Sequence, residues 1–302
     1  MTTAVAVVGL GTIGMRWVAR FCAAGLAVTA YDPDPDSARR CRAELPSLLA
    51  EVAALRPGPA PTTPRFATTL AEAVGGAEIV QENAPERIAL KRAVLAEIDA
   101  AAPPDALIAS SSSALLVSDM QADCAHPERV VLGHPFNPAH LMPLVEVVGG
   151  RRTAPESVAR ARAFYEAIGA KPVVLNRELP GHLALRLMAA MWREAIHLVV
   201  SGAASLEDVD RAFQYGPGPK WTLQGAFVSN HLNAAGMDSF LERYGDMYQA
   251  LFDDLGTANL DAPTRASVIA ATRAAIGGRD DDTLRHERDA GLVRILHAQA
   301  GA

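Results

Sequence analysis

The chain has 302 residues, of which 50% are hydrophobic and 21% charged, with a formal net charge of -6. That length and apolar content suffice for two domains with buried cores and exclude disorder and a small disulfide scaffold. The basic residues form no run of five or more, which argues against a nucleic-acid partner.

Cys22, Cys41 and Cys124 show neither a CxxC pair nor zinc-ligand spacing, so no metal is expected and the thiols read as reduced. The N-terminus runs into apolar sequence without a basic n-region, and no apolar run reaches about 18 residues, the length of a membrane span. The expectation is a cytoplasmic protein with no membrane association.

In chain order, residues 4–8 (Ala-Val-Ala-Val-Val) form a short continuous apolar run, as in a parallel strand covered on both faces. Gly-rich sequence follows, then Trp17, Val18, Phe21 and Cys22 at helical spacing, closed by Gly25, and a second strand over 27–31 ending at Asp32. A helix is predicted over 36–56, broken by Pro57-Gly58-Pro59-Ala60-Pro61, with extended sequence resuming at Arg65–Thr68. Further strands are predicted at 79–81, 107–110, 130–133, 144–148 and 172–175, and helices at 86–101 and 155–168. Alternation of this kind implies a parallel, doubly wound α/β sheet. After Pro180-Gly181 strand signals stop, and helices are predicted at 182–201, 206–215, 222–233, 238–255, 263–276 and 281–299. The expected organisation is an α/β domain over 1–178 and an all-α domain over 179–302.

Gly9-Leu10-Gly11-Thr12-Ile13-Gly14 is a GxGxxG motif lying between a strand and a helix. Its glycines allow the tight turn, close approach of a pyrophosphate and close helix packing, with Thr12 and Ile13 at the helix start. Asp32 follows Gly14 by 18 residues at the end of the second strand, where a carboxylate accepts from the adenosine ribose and repels a 2′-phosphate. NAD is therefore expected over NADP, with Arg39 and Arg40 the nearby cations that argue the other way.

Downstream, Gly133-His134-Pro135-Phe136-Asn137-Pro138 precedes Leu144-Val145-Glu146-Val147-Val148. Glu146 alone interrupts an apolar strand, and a carboxylate there is costly unless paired. A His on the neighbouring strand would make a dyad suited to alcohol oxidation: the imidazole takes the hydroxyl proton and the carboxylate stabilises the imidazolium. His140 reads instead as a structural histidine.

These motifs resemble the 3-hydroxyacyl-CoA dehydrogenase family, whose pattern is His, two residues, Asn-Pro, and a Glu twelve positions after the His, the spacing between His134 and Glu146. The resemblance extends to Ala109-Ser110-Ser111-Ser112-Ser113-Ala114-Leu115, placing Ser113 on the family's catalytic serine, and to Glu86 and Lys91, placed near the nicotinamide end of the cofactor. It implies a Rossmann domain followed by a helical dimerisation domain and hence a homodimer. It also implies Ser113 as hydrogen-bond donor to the reacting oxygen, His134 as acid/base, Glu146 as its orienting carboxylate, and Asn137 as a supporting group.

The chain departs from the family at Leu185, which stands where the family has Asn in Phe-Ile-x-Asn-Arg, and residues 36–65 lack the Lys-rich insert that grips CoA. The Gln81-to-Glu86 and Gly133-to-Pro138 segments are more similar to the branch acting on free small substrates: carnitine dehydrogenases, lambda-crystallin or gulonate dehydrogenases, and aromatic-polyketide ketoreductases. Gly216-Pro217-Gly218-Pro219-Lys220-Trp221 resembles the carnitine enzymes in particular. A carnitine-like substrate would use aromatic side chains such as Trp221 for its ammonium and Lys220 or Arg186 for its carboxylate. The expected function is NAD-dependent interconversion of a 3-hydroxy and a 3-oxo substrate, a carnitine-like hydroxy acid leading. The alternatives are a polyketide ketoreductase, a 3-hydroxyacyl-CoA dehydrogenase, and a non-catalytic crystallin-like dinucleotide-binding protein.

Overall fold

The computed structural model describes residues 2–56 and 58–300; Pro57, the first residue of the predicted break, lies outside them, as do the chain ends of the two expected domains. Strand β1 (Ala4–Val8) leads through the glycine motif into helix α1 (Thr12–Ala23), and β2 (Ala27–Tyr31) into α2 (Pro35–Leu55). Gly25 takes φ +77°, the left-handed conformation that lets the chain turn back after α1. Asp34 caps α2 by accepting from the Asp36 amide, and Pro35 occupies its first turn, where no amide hydrogen is needed.

Next come β3 (Arg65–Phe66), α3 (Leu70–Val74), β4 (Ile79–Glu82), α4 (Ile88–Ala101), β5 (Leu107–Ser110), α5 (Val117–Met120) and two 3-10 turns. The short helices α3 and α5 are additions to the predicted elements: five and four residues are too few to show a helical period. The α/β part closes with β6 (Val130–Pro135), β7 (Leu144–Gly149), α6 (Pro155–Ala167) and β8 (Lys171–Val174).

The strands form one eight-stranded sheet in the order β3-β2-β1-β4-β5-β6-β7-β8. Every neighbouring pair is parallel except β6 and β7, which run antiparallel, a correction to the all-parallel prediction. The cause is the short link 136–143, since a parallel return needs a crossover of a dozen residues or more. Alternate strand residues feed two cores. Val5, Val7, Leu107, Val131, Val145 and Val147 pack with Trp17, Phe21 and Tyr165 on one face, while Ala6, Val8, Val80, Ile108, Val130 and Leu132 pack with Leu95, Ile98 and Met120 on the other. Cys22, Cys41 and Cys124 are free and buried, and burial pushes each thiol up to about 11.

The remaining chain is helical: α7 (Ala184–Val200), α8 (Leu206–Tyr215), α9 (Pro217–Leu232), α10 (Met237–Asp254), α11 (Ala262–Ile276) and α12 (Asp281–Ala300). Helix α9 starts earlier than predicted and kinks at Gly225, where φ is +70°. Two compact units result, the first running up to Leu185 and regaining Asp289–Ala300, the second spanning Arg186–Arg288. The change of unit thus falls inside α7. The last turns of α12 return to the first unit, where His297 Nε2 donates to the Leu55 carbonyl at 2.9 Å.

Candidate active site

The strand order reverses between β1 and β4, and the carboxyl ends of strands at such a switch point are where open α/β sheets bind ligands. A cavity of about 690 Å³ opens there, lined by Gly9, Gly11, Thr12, Ile13, Asp32, Asn83 and Arg87, among others. Gly9 sits at φ +88° with the Asn83 backbone 2.8 Å from where a Cβ would lie, and a Cβ on Gly14 would lie 1.8 Å from the Gly9 carbonyl oxygen. Around a Cβ on Gly11 there is open space. The first and third glycines are therefore required by packing, whereas nothing among the described residues crowds the second. Gly11, the N-cap of α1, has no side chain to cap the first amides of the helix.

Asp32 is anchored by the amides of Leu10 (2.6 Å) and Asp34 (2.9 Å), which orient its carboxylate while leaving further lone pairs. Arg39 is paired with Asp36 at 3.1 Å and Arg40 with Asp34 at 3.3 Å. Asn83, which lies within the Gln81-to-Glu86 segment but is not singled out there, and Arg87 are brought to the cavity by the turn after β4.

The four serines after β5 have separate partners. Ser110 donates to Glu82 at 2.5 Å; Ser111 accepts from Trp17 Nε1 and Gln81 Nε2 and donates to Asn83; Ser112 donates to Glu86 at 2.5 Å. Ser113 contributes only its amide to this network and its residue is exposed. A single Glu86 oxygen, Oε1, accepts from the Ser112 hydroxyl and the amides of Ser113, Ala114 and Leu115, so Glu86 shapes the serine turn. Partial burial pushes its carboxyl up, but the Ser112 hydroxyl, the Ala114 amide, the Lys91 charge and the Leu115 amide hold it below its usual range.

Lys91 is placed differently from the expectation. It is 1% exposed, its Nζ lies 3.0 Å from both Glu82 oxygens, and it does not line the cavity. A buried ammonium needs such a carboxylate to offset its desolvation.

His134 and Glu146 face each other across the antiparallel β6–β7 pair. His134 Nδ1 lies 2.9 Å from Glu146 Oε2, while Oε1 accepts the amides of Leu183 (2.7 Å) and Ala184 (2.8 Å) at the start of α7. Burial raises the Glu146 carboxyl, yet these donors prevail and hold it below the usual range. The carboxylate is thus an acceptor for His134 Nδ1 and a cap for a helix N-terminus. Asn137, on the loop between the strands, accepts from Arg16 Nη1 at 2.7 Å, and the Asn137–Pro138 peptide is cis.

His140 is a structural residue, its Nε2 2.6 Å from Glu51 and burial lowering its basicity. His182, which the sequence reading passed over, is buried beside His134 with ring centroids 5.3 Å apart. Of the suggested substrate residues, Leu185 is half-buried at the end of the first unit. Arg186 begins the second, where Lys220 donates to Asn233 at 3.2 Å and Trp221 is exposed on α9. Among the described residues no cluster of potential metal ligands occurs, and no helix is long and apolar enough to cross a membrane.

Residues 4–178 match the family model for the 3-hydroxyacyl-CoA dehydrogenase NAD binding domain, and residues 181–262 match that for its C-terminal domain. The chain is 43% identical over 298 residues to an L-carnitine dehydrogenase of Streptomyces coelicolor, covering 97% of this chain and 94% of the relative. It is 42% identical to an L-carnitine dehydrogenase of Bacillus cereus, covering 97% and 91%. Among solved structures, 5-formyl-3-hydroxy-2-methylpyridine 4-carboxylic acid 5-dehydrogenase, an NAD+-dependent dismutase, superposes with a TM-score of 0.83 at 32% identity, covering 100% of this chain and 99% of that one. A diketoreductase superposes with a TM-score of 0.67 at 26% identity, covering 81% and 92%.

Proposed function

The chain belongs to the 3-hydroxyacyl-CoA dehydrogenase family, in its carnitine dehydrogenase branch, and is an NAD-dependent dehydrogenase acting on a CH–OH group; from that premise we propose that its substrate is a free 3-hydroxy acid of the L-carnitine type. The observation that carries the chemistry is the His134–Glu146 pair, buried on adjacent strands with the carboxylate held by two helix amides. His134 Nε2 takes the hydroxyl proton as the alcohol is oxidised, and Glu146 stabilises the imidazolium that forms. Ser113, whose hydroxyl lies outside the serine-turn network, donates to the reacting oxygen, and Asn137 holds the loop next to His134. In reduction the same imidazole returns the proton. NAD, when bound, supplies the hydride acceptor for this step.

The cavity between β1 and β4 suits that cofactor: Gly9, Gly11 and Gly14 shape the turn, the amides of Thr12 and Ile13 would hold its pyrophosphate, and Asp32 would accept from its ribose. Preference for NAD over NADP is supported by the Asp32 carboxylate and by the pairing of Arg39 and Arg40 with neighbouring acids. Glu86 acts through the serine turn, and Lys91 through Glu82. A carnitine-type substrate is supported by the identity to L-carnitine dehydrogenases along nearly the whole chain. Lys220 or Arg186 would meet its carboxylate and Trp221 its ammonium.

A homodimer, arranged as an interaction domain after the NAD-binding domain with the division near residue 178, is supported by the apolar side chains that the helical unit exposes. Phe227 is 84%, Tyr215 83% and Leu223 65% exposed. A cytoplasmic location accords with three free thiols.

The deciding experiment is the initial rate of nicotinamide turnover, in both directions and with NAD(H) and NADP(H). The panel is L-carnitine, gulonate, 3-hydroxybutyryl-CoA and an aromatic 3-oxo acid. NAD-linked oxidation of L-carnitine, with the CoA ester inert, is the expected result; faster turnover of the CoA ester overturns the substrate assignment. A ketoreductase acting on an aromatic ketone is the second reading, favoured by the apolar Leu185 and by the likeness to an enzyme named for a pyridine carboxylic acid. Preferential reduction of the aromatic 3-oxo acid would establish it.

A further inference from the structure

His182 combines four unusual features. It is 1% exposed; it adopts φ +50°, a left-handed backbone uncommon for residues other than glycine; its ring stands 5.3 Å from that of His134; and its buried Nδ1 has no hydrogen-bond partner. Its Nε2 lies 3.0 Å from the Ser112 carbonyl oxygen. A carbonyl can only accept, so Nε2 carries the hydrogen and, in the neutral ring, Nδ1 is a bare acceptor. The next two amides, Leu183 and Ala184, are the ones that hold Glu146 Oε1. The ring therefore ties the serine turn, while the adjoining backbone ties the dyad.

We propose that His182 is a positioning residue of the dehydrogenase reaction: as a neutral imidazole it clamps the serine turn, and with it Ser113, in register with the His134–Glu146 pair. The proposal rests on the dehydrogenase reading of that pair. Neutrality matters because proton uptake at Nδ1 would bury an unpaired donor and set a second positive charge beside His134, which becomes cationic during alcohol oxidation. The charged groups facing the ring are His134 from β6, Glu146 from β7 and Glu86 from the turn before α4. Burial, reinforced by His134, keeps His182 less basic than an ordinary histidine, against the opposing pull of the Ser112 carbonyl and the two carboxylates.

The test uses the full chain with His182→Phe, which keeps a ring and loses the donor, and His182→Gln, which can still donate to Ser112. With L-carnitine as substrate, His182→Phe is expected to lose at least tenfold in kcat with little change in the KM for NAD, and His182→Gln to recover part of the loss. On the acid side, kcat/KM for oxidation should fall with two protons in the wild type and with one in His182→Gln. Bound NADH fluorescence verifies that each variant is folded. Should the wild type not oxidise L-carnitine, the substrate reading fails on its own. The ring-nitrogen NMR spectrum of the NADH complex then decides for His182, requiring an Nε2-protonated neutral ring and a displaced His134 titration in His182→Gln. Variants matching the wild type in kcat and acid limb, or an unmoved His134 titration, would overturn the proposal.

Discussion

Proton chemistry at this site depends on a few side chains whose surroundings assign them distinct tasks. His134 has a single acidic partner, so His134→Gln is expected to lower turnover by at least about a hundredfold, the scale of general acid/base catalysis. NADH binding, followed by fluorescence titration, should be unchanged; a parallel loss of binding would contradict the assigned role. For Asp32→Ala, loss of NADH affinity well beyond that of NADPH is expected, because the removed carboxylate would favour a ribose hydroxyl and repel a phosphate. Equal losses in the two titrations would count against Asp32.

Glu146 also carries stability. Its carboxyl is held below the usual range, so the unfolded chain binds its proton more readily, and its contribution is present above about pH 4.3 and lost as pH falls further. His140 and His182, lowered from 6.5, work in the same direction earlier: their contribution is complete above that value and is lost on acidification below it. Denaturant midpoints from about pH 8 to about pH 3 should therefore decline in two stages. Glu146→Gln, which weakens the acceptor for two amides and an imidazole, should cost about 1–3 kcal/mol by chemical denaturation at pH 7.

At the scale of elements, the site is held by a polar network that crosses the sheet. Tyr165 on α6 donates to Gln81 on β4 at 2.6 Å, and Gln81 donates to Ser111 (2.8 Å) and to the Gly133 carbonyl (3.1 Å). The residue before His134 is thereby tied to the serine turn. A Cβ on Gly133 would lie 1.9 Å from the Tyr165 hydroxyl, with no free space to receive it. Gly133→Ala is therefore expected to destabilise the protein by about 1–3 kcal/mol through overpacking. Thermal unfolding would measure the loss, and Tyr165→Phe in the same background should recover only part of it, since the ring remains. The glycine signature was legible because the tight turn from β1 into α1 demands glycine by residue type. The Gln81–Tyr165–Ser111 network was not, because its members lie 30 to 84 positions apart and none has a fixed local spacing.

For the whole molecule, the two units differ in how completely each buries its own apolar surface. Trp17, Tyr165 and Phe21 are fully buried in the first unit, whereas in the second only Ile196 and Phe240 stand among the buried hydrophobics. Large exposed apolar faces on a helical unit favour a protein partner, and the proposed partner is a second copy. Phe227→Glu together with Leu223→Glu should shift sedimentation from a dimer to a monomer at micromolar concentration. A monomeric wild type would refute the homodimer, as would a doubly substituted dimer.

The elements and the chemistry-bearing motifs were accessible from sequence alone. Hydrophobic period, glycine placement and the Asp32 position are local signals, and the twelve-residue interval from His134 to Glu146 fits two strands joined by a short link. Tertiary structure decided what depends on neighbours distant in the chain. It turned β7 antiparallel, buried Lys91 against Glu82 and returned the end of α12 to the first unit. It also brought His182 beside His134, 48 positions away, through a left-handed turn that nothing in its neighbouring residues demanded. The reason is physical: a local period reports which face of an element is apolar, but the partner of a buried charge or ring is chosen by packing and desolvation across the whole fold.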